Sequence, residues 1–345
     1  MEITRLGIDL AKTFFQLHGT DLSGKTILRK KLKRTELALF TAQLQPCEIA
    51  MEACGGSHYW ARKFKTQGHR VKIIAAHHVK PFKLSRQKND SRDAEAIAEA
   101  SLRPNMKYVA AKELWQQDLQ SMHRLRQHFI DTRTATVNQA RGFLMEYGVV
   151  IDEGITKFFS EIPDILEDAD SELTPMIREV VRNLYQLALQ LLESTKDLEK
   201  KIMAVSKAQV DYQRLLEVPG VGPLGASMFV SSVGDANVFK NGRHLAAWLG
   251  LVPRQDSSGG KERLLGITKA GDQHLRSVMI HGARSLILAT IRKRKKDPRS
   301  EWILRLYEKK GWNVTAVAVA NRNCRVMWHL MKNKEEYKHD FRMAM

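Results

Sequence analysis

Two stretches of this chain, Glu113 to Tyr147 and Ser171 to Lys207, carry apolar residues at three- and four-residue spacing and hold few Gly or Pro. Leu184, Leu187, Leu191 and Leu198 illustrate the spacing. Such a repeat admits long amphipathic helices and little else, because a strand would turn its side chains alternately to opposite faces. Pro163 and Pro175 bracket the expected break between the two helices. Antiparallel pairing follows, either as a coiled coil that joins copies into a dimer or tetramer or as a hairpin within one copy; the pattern fits both. The fold is thereby divided into a helical connector over 111–210 and two end domains, 1–110 and 211–345.

Charge follows the same division. The 345 residues include 56 Lys+Arg and 38 Asp+Glu, a net of +18. Residues 1–110 carry a net +10, 111–210 a net −4 and 211–345 a net +12. A charge that merely kept the chain soluble would not partition in this way. Two basic ends suit a polyanion, with nucleic acid the first candidate, and an acidic middle suits contacts between proteins. No apolar run reaches the roughly 18–20 residues of a membrane span, and the start, MEITRLGIDLAKT, has no signal-peptide layout. Three scattered cysteines (Cys47, Cys54, Cys324) make neither a disulfide framework nor a zinc cluster, so a cytoplasmic setting is expected.

The first end reads as α/β. Strands are expected at Ile3–Leu10, Thr13–His18, Lys25–Leu32, Cys47–Met51 and Val71–Ala75. Helices are expected at Thr35–Leu44, from Gly55-Gly56 to about Gln67, and from Asp90 to about Leu102. This order predicts a mixed sheet with helices on both faces. Four carboxylates stand out in it. Asp9 interrupts an apolar strand, where a charge is rare unless it is used. Glu52 ends the fourth strand. Asp90 and Asp93 share one helix face. With strands one and four as neighbours, the four would converge at one end of the sheet. Hard oxygen ligands at that density suit Mg²⁺ or Mn²⁺ in phosphodiester chemistry. A capping role for Asp90 and Asp93 and a solvent-facing Glu52 are the plainer alternatives.

The last end opens with Val218-Pro219-Gly220-Val221-Gly222-Pro223, the form of a helix-hairpin-helix, in which Gly220 and Gly222 let backbone N–H groups approach a phosphate. A tight turn without ligand is the alternative. Further on, Gly250 to Lys261 ends a helix and enters a polar, glycine-bounded loop with Ser257 and Ser258. Arg254, Lys261, Arg263 and Lys269 surround these serines in sequence, and Arg276 follows on the next helix. A serine there could attack phosphate, with the cations stabilising the charge that develops. A surface loop that only binds phosphate fits the residues better on their own. Trp302, Trp312 and Trp328 interleave with basic residues and could stack on bases, although core positions are commoner for such residues.

Gly7-Ile8-Asp9-Leu10-Ala11-Lys12, Met51-Glu52-Ala53-Cys54-Gly55-Gly56, Lys88-Asn89-Asp90-Ser91-Arg92-Asp93, the Val218–Pro223 turn and the Gly250–Lys261 loop together resemble the DEDD-type insertion-sequence transposases. The resemblance is to the family named after insertion sequence one-hundred-and-ten, and the SSGGK form is similar to its eleven-eleven subgroup. It covers nearly the whole chain. It implies a RuvC-like, RNase-H-type first domain with metal ligands at Asp9, Glu52, Asp90 and Asp93, and a last domain whose nucleophile is the serine before a glycine, Ser258. It further implies an RNA-guided serine recombinase that joins the acidic cluster of one copy to the serine of another. A structured noncoding RNA would pair with target and donor DNA, leaving the protein to read backbone and shape. Lys12, Lys88, Arg92, Gly220, Gly222, Arg254, Lys261, Arg263, Lys269 and Arg276 are then the expected nucleic-acid contacts. A metal-dependent junction nuclease and a non-catalytic nucleic-acid scaffold are the competing readings.

Overall fold

A computed structural model describes residues 2–83, 90–257, 262–293 and 297–338, with the backbone alone for 90 and 91. Two compact units divide at Leu114, unit 1 over Met1–Leu114 and unit 2 over Trp115–Met345.

Unit 1 is built on one six-stranded sheet in the order β3-β2-β1-β4-β5-β6. The strands are β1 Arg5–Asp9, β2 Phe14–Thr20, β3 Thr26–Lys33, β4 Glu48–Glu52, β5 Arg70–Ile74 and β6 Tyr108–Val109. Strands β1, β4 and β5 run parallel, and β2, β3 and β6 pair antiparallel to their neighbours. The helices are α1 Arg34–Ala42, α2 Ser57–Thr66, the short α3 Ala76–Val79 and α4 Asp90–Ser101. Alternation along the strands sorts the two faces. Leu6, Ile8, Ile49, Met51 and Ile73 bury one face with Leu37 of α1 and Trp60 and Phe64 of α2. Ala50 and Ile74 bury the other with Ala96, Ile97 and Ala100 of α4. The strand β6 has no signature in the sequence because two residues carry no periodicity.

Gly7 sets how closely α4 approaches. A Cβ there would stand 2.3 Å from the Ala94 carbonyl oxygen and 2.8 Å from the Ala98 Cβ. Glycine is thus required for close contact of helix and strand.

In unit 2, α5 Leu114–Met145 and α7 Pro175–Lys207 are the two long helices. Arg126 pairs with Glu199 at 2.6 Å, Leu119 packs with Leu198 and Ile202, and Val137 and Leu144 share a core with Val181 and Ala188. The pairing is therefore antiparallel. The expected break between them holds a helix of its own, α6 Ile155–Glu167, with Pro163 inside it. Phe158 and Ile162 of α6 are fully buried. At roughly 1.5–3 kcal/mol per buried side chain, that burial offsets the roughly 3 kcal/mol a mid-helix proline costs. Pro175 opens α7, where its missing N–H is harmless, and Thr174 caps the helix by accepting from Ile177 N.

The remaining helices, α8 Val210–Leu216, α9 Pro223–Val233, α10 Gly242–Trp248, α11 Gln273–Lys293 and α12 Pro298–Asn333, enclose one core around Phe229, Leu245, Met279, Ile287, Ile303 and Met327. Trp302, Trp312 and Trp328 all pack against this core, and Trp328 Nε1 donates to the Ala236 carbonyl at 3.0 Å. A two-stranded hairpin, β7 Pro253–Gln255 with β8 Leu264–Ile267, projects between α10 and α11. Among the described residues no helix is long and apolar enough to cross a membrane.

Candidate active site

Asp9 and Glu52 are the last residues of β1 and β4, which are adjacent and parallel, so both carboxylates leave the same end of the sheet. Side chains two apart share a face. Asp9 is thus on the Gly7 face and Glu52 on the Ala50 face, which is the α4 face of the sheet. Asp93 lies in the first turn of α4, next to Ala94, whose carbonyl closes on Gly7. Lys83, just after the 3-10 turn Lys80–Phe82, ties the group together: its Nζ is 3.2 Å from Asp93 and 3.9 Å from Glu52. Cys54 reports the same neighbourhood. Crowding by protein, then the charges of Glu52 and Asp9, push its thiol up from the ordinary value although the residue is exposed. Asp90 begins α4, and its side chain lies outside the described residues.

The donor set is of hard oxygens, and an ammonium already stands between two of them, so the charge environment fits a divalent cation. Among the described residues no group of three or more His, Cys, Asp or Glu is close enough to hold a metal. Glu48 shows what a purely structural carboxylate looks like on the same strand and face. It is 4% exposed and meets Lys72 at 2.8 Å, Arg5 at 3.1 Å and Arg70 at 3.4 Å. Burial works to raise its pKa, but the hydrogen bonds and charges of Lys72 and Arg5 outweigh burial and hold it low. Nothing in the sequence brings those three cations to Glu48, so its role is invisible there. Lys12 and Arg92 are exposed at the carboxylate end, on the β1–β2 turn and on α4; Lys88 lies outside the described residues.

In unit 2 the serine segment is the β7–β8 hairpin. Ser257 closes its mouth: its Oγ accepts from Arg263 N at 3.3 Å and from Gln255 Nε2 at 3.0 Å. Arg254, Arg263 and Lys269 are exposed along it. Ser258 and Lys261 lie outside the described residues. The hairpin's base is closely packed. Gly250 (φ 73) and Gly271 (φ 68) leave no room for a Cβ, which would meet Ala270 N at 2.3 Å and the Trp248 carbonyl oxygen at 2.2 Å.

Arg276 corrects an expectation. It is 7% exposed and donates to the Ala270 carbonyl at 2.6 Å and the Leu249 carbonyl at 3.3 Å. Its guanidinium satisfies carbonyls at the hairpin base rather than facing a phosphate. Gly220 also differs. At φ 84 it packs on α11, where an added Cβ would stand 3.0 Å from the Gly282 carbonyl oxygen, and Asn323 Nδ2 donates to the neighbouring Pro219 carbonyl. That side of the turn faces protein, whereas Gly222 at the start of α9 faces open space.

Comparison with known proteins defines the class. Residues 6–149 match a family model described as Transposase, for the DEDD transposases of the IS110 type, and residues 212–297 match one described as Transposase IS116/IS110/IS902 family. A probable family 20 transposase of Pseudomonas aeruginosa is 43% identical over 98% of this chain and 99% of its own length. The transposase for insertion sequence element IS1111A of Coxiella burnetii is 42% identical over 98% and 92%. That for IS1328 of Yersinia enterocolitica is 36% identical over 94% and 96%. The chain is an insertion-sequence transposase, an enzyme that cleaves and transfers DNA strands. It belongs to the IS116/IS110/IS902 transposase family. The family is one of DEDD transposases, so the class name serine recombinase is not applied to it.

Proposed function

We propose that this transposase breaks and rejoins DNA with a cation-binding cluster of Asp9, Glu52, Asp90 and Asp93 and a serine nucleophile, Ser258, on sites chosen by a structured noncoding RNA. The observation that carries the reading is the Lys83 bridge between Glu52 and Asp93 at the end of β1 and β4. A cation balances carboxylates that would otherwise repel, and the mouth of two parallel strands is where α/β sheets bind ligands. The strand order, with a β1–β2–β3 meander continued by parallel β4 and β5, supports a RuvC-like, RNase-H-type unit.

A bound Mg²⁺ or Mn²⁺ would supply Lewis-acid stabilisation of charge on phosphate oxygens. The protein's own groups do the rest. Lys83 holds Glu52 and Asp93 in register before a cation arrives, and Gly7 fixes α4 and hence Asp93. Arg276, with Gly250 and Gly271, anchors the hairpin that presents the serine. Ser257 is engaged in closing that hairpin, which favours Ser258 as nucleophile. In the step itself, Ser258 Oγ bonds to phosphorus and one phosphorus–deoxyribose oxygen bond breaks. The serine proton leaves through solvent and the departing oxygen becomes a hydroxyl. Attack by an incoming deoxyribose hydroxyl reverses these changes and rejoins the strand. The exposed Arg254, Arg263 and Lys269 stabilise the crowded phosphate. The cluster and the serine belong to different units, and assembly of copies through the acidic helical region, which exposes Leu125 of α5 and Leu187 of α7, is part of the reading.

The test incubates protein, guide RNA and labelled DNA with Mg²⁺, denatures, and measures both breakage and covalent protein–DNA adduct. Asp9→Asn should lose both, and Ser258→Ala should lose the adduct. Breakage that persists without adduct in Ser258→Ala would favour water as nucleophile and a nuclease. Full activity in Asp9→Asn would remove the carboxylates from the mechanism.

A further inference from the structure

The outer edge of the six-stranded sheet is basic and carries an aromatic that the core does not use. β3 is an edge strand, paired with β2 on one side. Its Arg29, Lys30, Lys31 and Lys33 are exposed, and it holds no acidic residue. Arg29 takes Glu95 of α4 at 3.5 Å, whereas among the described residues Lys31 and Lys33 form no ion pair. Glu36 is engaged with backbone, accepting from Lys33 N at 2.7 Å. Phe14 and Phe15 open β2 on opposite faces. Phe15 is fully buried, its ring centre 5.3 Å from that of Trp60. Phe14 is 41% exposed, and the Lys31 ammonium lies 4.7 Å from its ring centre.

Strand register joins this edge to the carboxylates. Asp9 pairs with Gln16, and Gln16 with Lys31. Residues directly opposite one another share a face, so Asp9, Gln16 and Lys31 form one rung on the α4 face. Strands lie roughly 4.8 Å apart, which puts Lys31 about 10 Å from Asp9 along the rung. Phe14 pairs with Lys33 one rung nearer the mouth, and Lys12 is exposed in the adjoining turn. Lysines on an edge strand also keep it from pairing with other strands, but that role needs no exposed aromatic beside them.

We propose that Phe14, Lys31 and Lys33 form a track for an unpaired DNA segment that flanks the phosphodiester held at Asp9. An aromatic face accepts any base, and ammonium groups beside it take the backbone. A stacked base replaces the Lys31 ammonium on the Phe14 ring, and the ammonium moves to a phosphate. At roughly 3.4 Å per nucleotide, a strand runs from Asp9 to Lys31 in about three nucleotides. The inference rests on the reading of Asp9 as part of the DNA-breaking site, and it adds residues outside the carboxylates and the serine hairpin.

The test uses the full-length protein with a mixed-sequence DNA single strand, the matching duplex and an oligouridine, with affinity measured across a salt series. Lys31→Gln and Lys33→Gln should each reduce the slope of log affinity against log salt on single-stranded DNA by about 0.7, with an unchanged melting temperature. Phe14→Ala should weaken single-strand binding about tenfold at an unchanged slope, and Phe14→Trp should restore it. Duplex binding should be insensitive to Phe14, because a paired base cannot stack on it. Neither contact reads the 2′-hydroxyl, so parallel losses on oligouridine are expected, whereas losses on oligouridine alone would overturn the assignment to DNA. Wild-type slopes in both lysine variants would overturn the track, and new self-association in the double variant at unchanged slopes would mark the lysines as edge guards instead. A Phe14→Ala loss as large on duplex, or one that Phe14→Trp does not restore, would overturn the stacking. If Phe14→Ala does not fold, the lysine slopes decide. Failure of the parent reading shows differently: wild-type protein binds the single strand but never breaks DNA under the guide-RNA and metal conditions above.

Discussion

Replacing Gly7 by alanine should disable strand breakage while leaving every carboxylate in the chain. The added Cβ would stand 2.3 Å from the Ala94 carbonyl oxygen, where ordinary contact begins at 3.4 Å, and 2.8 Å from Ala98 N and Cβ. The obstructing atoms are backbone and short side chain, so α4 itself must withdraw by about 1 Å. Overpacking of this kind costs about 1–3 kcal/mol, with a fall in melting temperature of roughly 4–8 °C per kcal/mol for a unit near this size. Asp93 directly precedes Ala94 and moves with it, away from the strand end that carries Asp9. A misplacement of about 1 Å costs on the order of 100-fold in rate. Single-turnover breakage at a temperature where both proteins are folded, together with a thermal melt, reads both effects. Gly142→Ala is the control: α5 has open space there, so breakage should persist and stability should rise by about 0.5–1 kcal/mol. Wild-type breakage in Gly7→Ala would refute the idea that this glycine positions α4 and Asp93.

Glu48→Gln and Glu52→Gln, four residues apart on one strand, should separate stability from activity. The first removes a buried carboxylate from Arg5 and Lys72 and should cost about 3 kcal/mol with breakage retained below the melting point. The second should leave the melt nearly unchanged and abolish breakage. Chemical denaturation across pH should expose His123, which is 2% exposed and shares a hydrogen bond with Ser227 at 2.9 Å. Burial, then the charges of His274 and Arg126, lowers its pKa to about 4, so the unfolded chain takes up the proton first as pH falls. Stability should therefore decline between about pH 6.5 and pH 4, by up to about 3 kcal/mol from this residue. His123→Gln should flatten that decline; an unchanged slope would show that the imidazole is not held neutral. Arg276→Gln should slow breakage and adduct formation at least tenfold by loosening the hairpin base, and unchanged rates would show the clamp to be dispensable.

The sheet was legible because its strands alternate and its turns carry Gly and Asp. Asp9 was legible because a charge among Gly7, Ile8 and Leu10 breaks an apolar run. Gly7 could have been found by the same period-two reading, since it shares a face with Asp9. What sequence hides is any partner brought from elsewhere in the chain. Lys83 reads as one lysine in a basic stretch until the structure places it between Glu52 and Asp93. Arg276 reads as a surface cation because its helix is basic, whereas its carbonyl partners Leu249 and Ala270 belong to the preceding turns. α6 was obscured by Pro163, and β7 and β8 by their brevity and exposure. The reversal of α12 was hidden because it occurs at a single glycine, Gly311, inside an otherwise helical pattern.

The most direct test of the proposed chemistry is to digest the denatured protein–DNA adduct with trypsin and nuclease and locate the modified residue by mass spectrometry. The expected result is a nucleotide phosphate on Ser258, in the peptide of residues 255–261 that ends at Lys261. Attachment at any other residue, or DNA broken in full with that peptide unmodified, would contradict the serine mechanism.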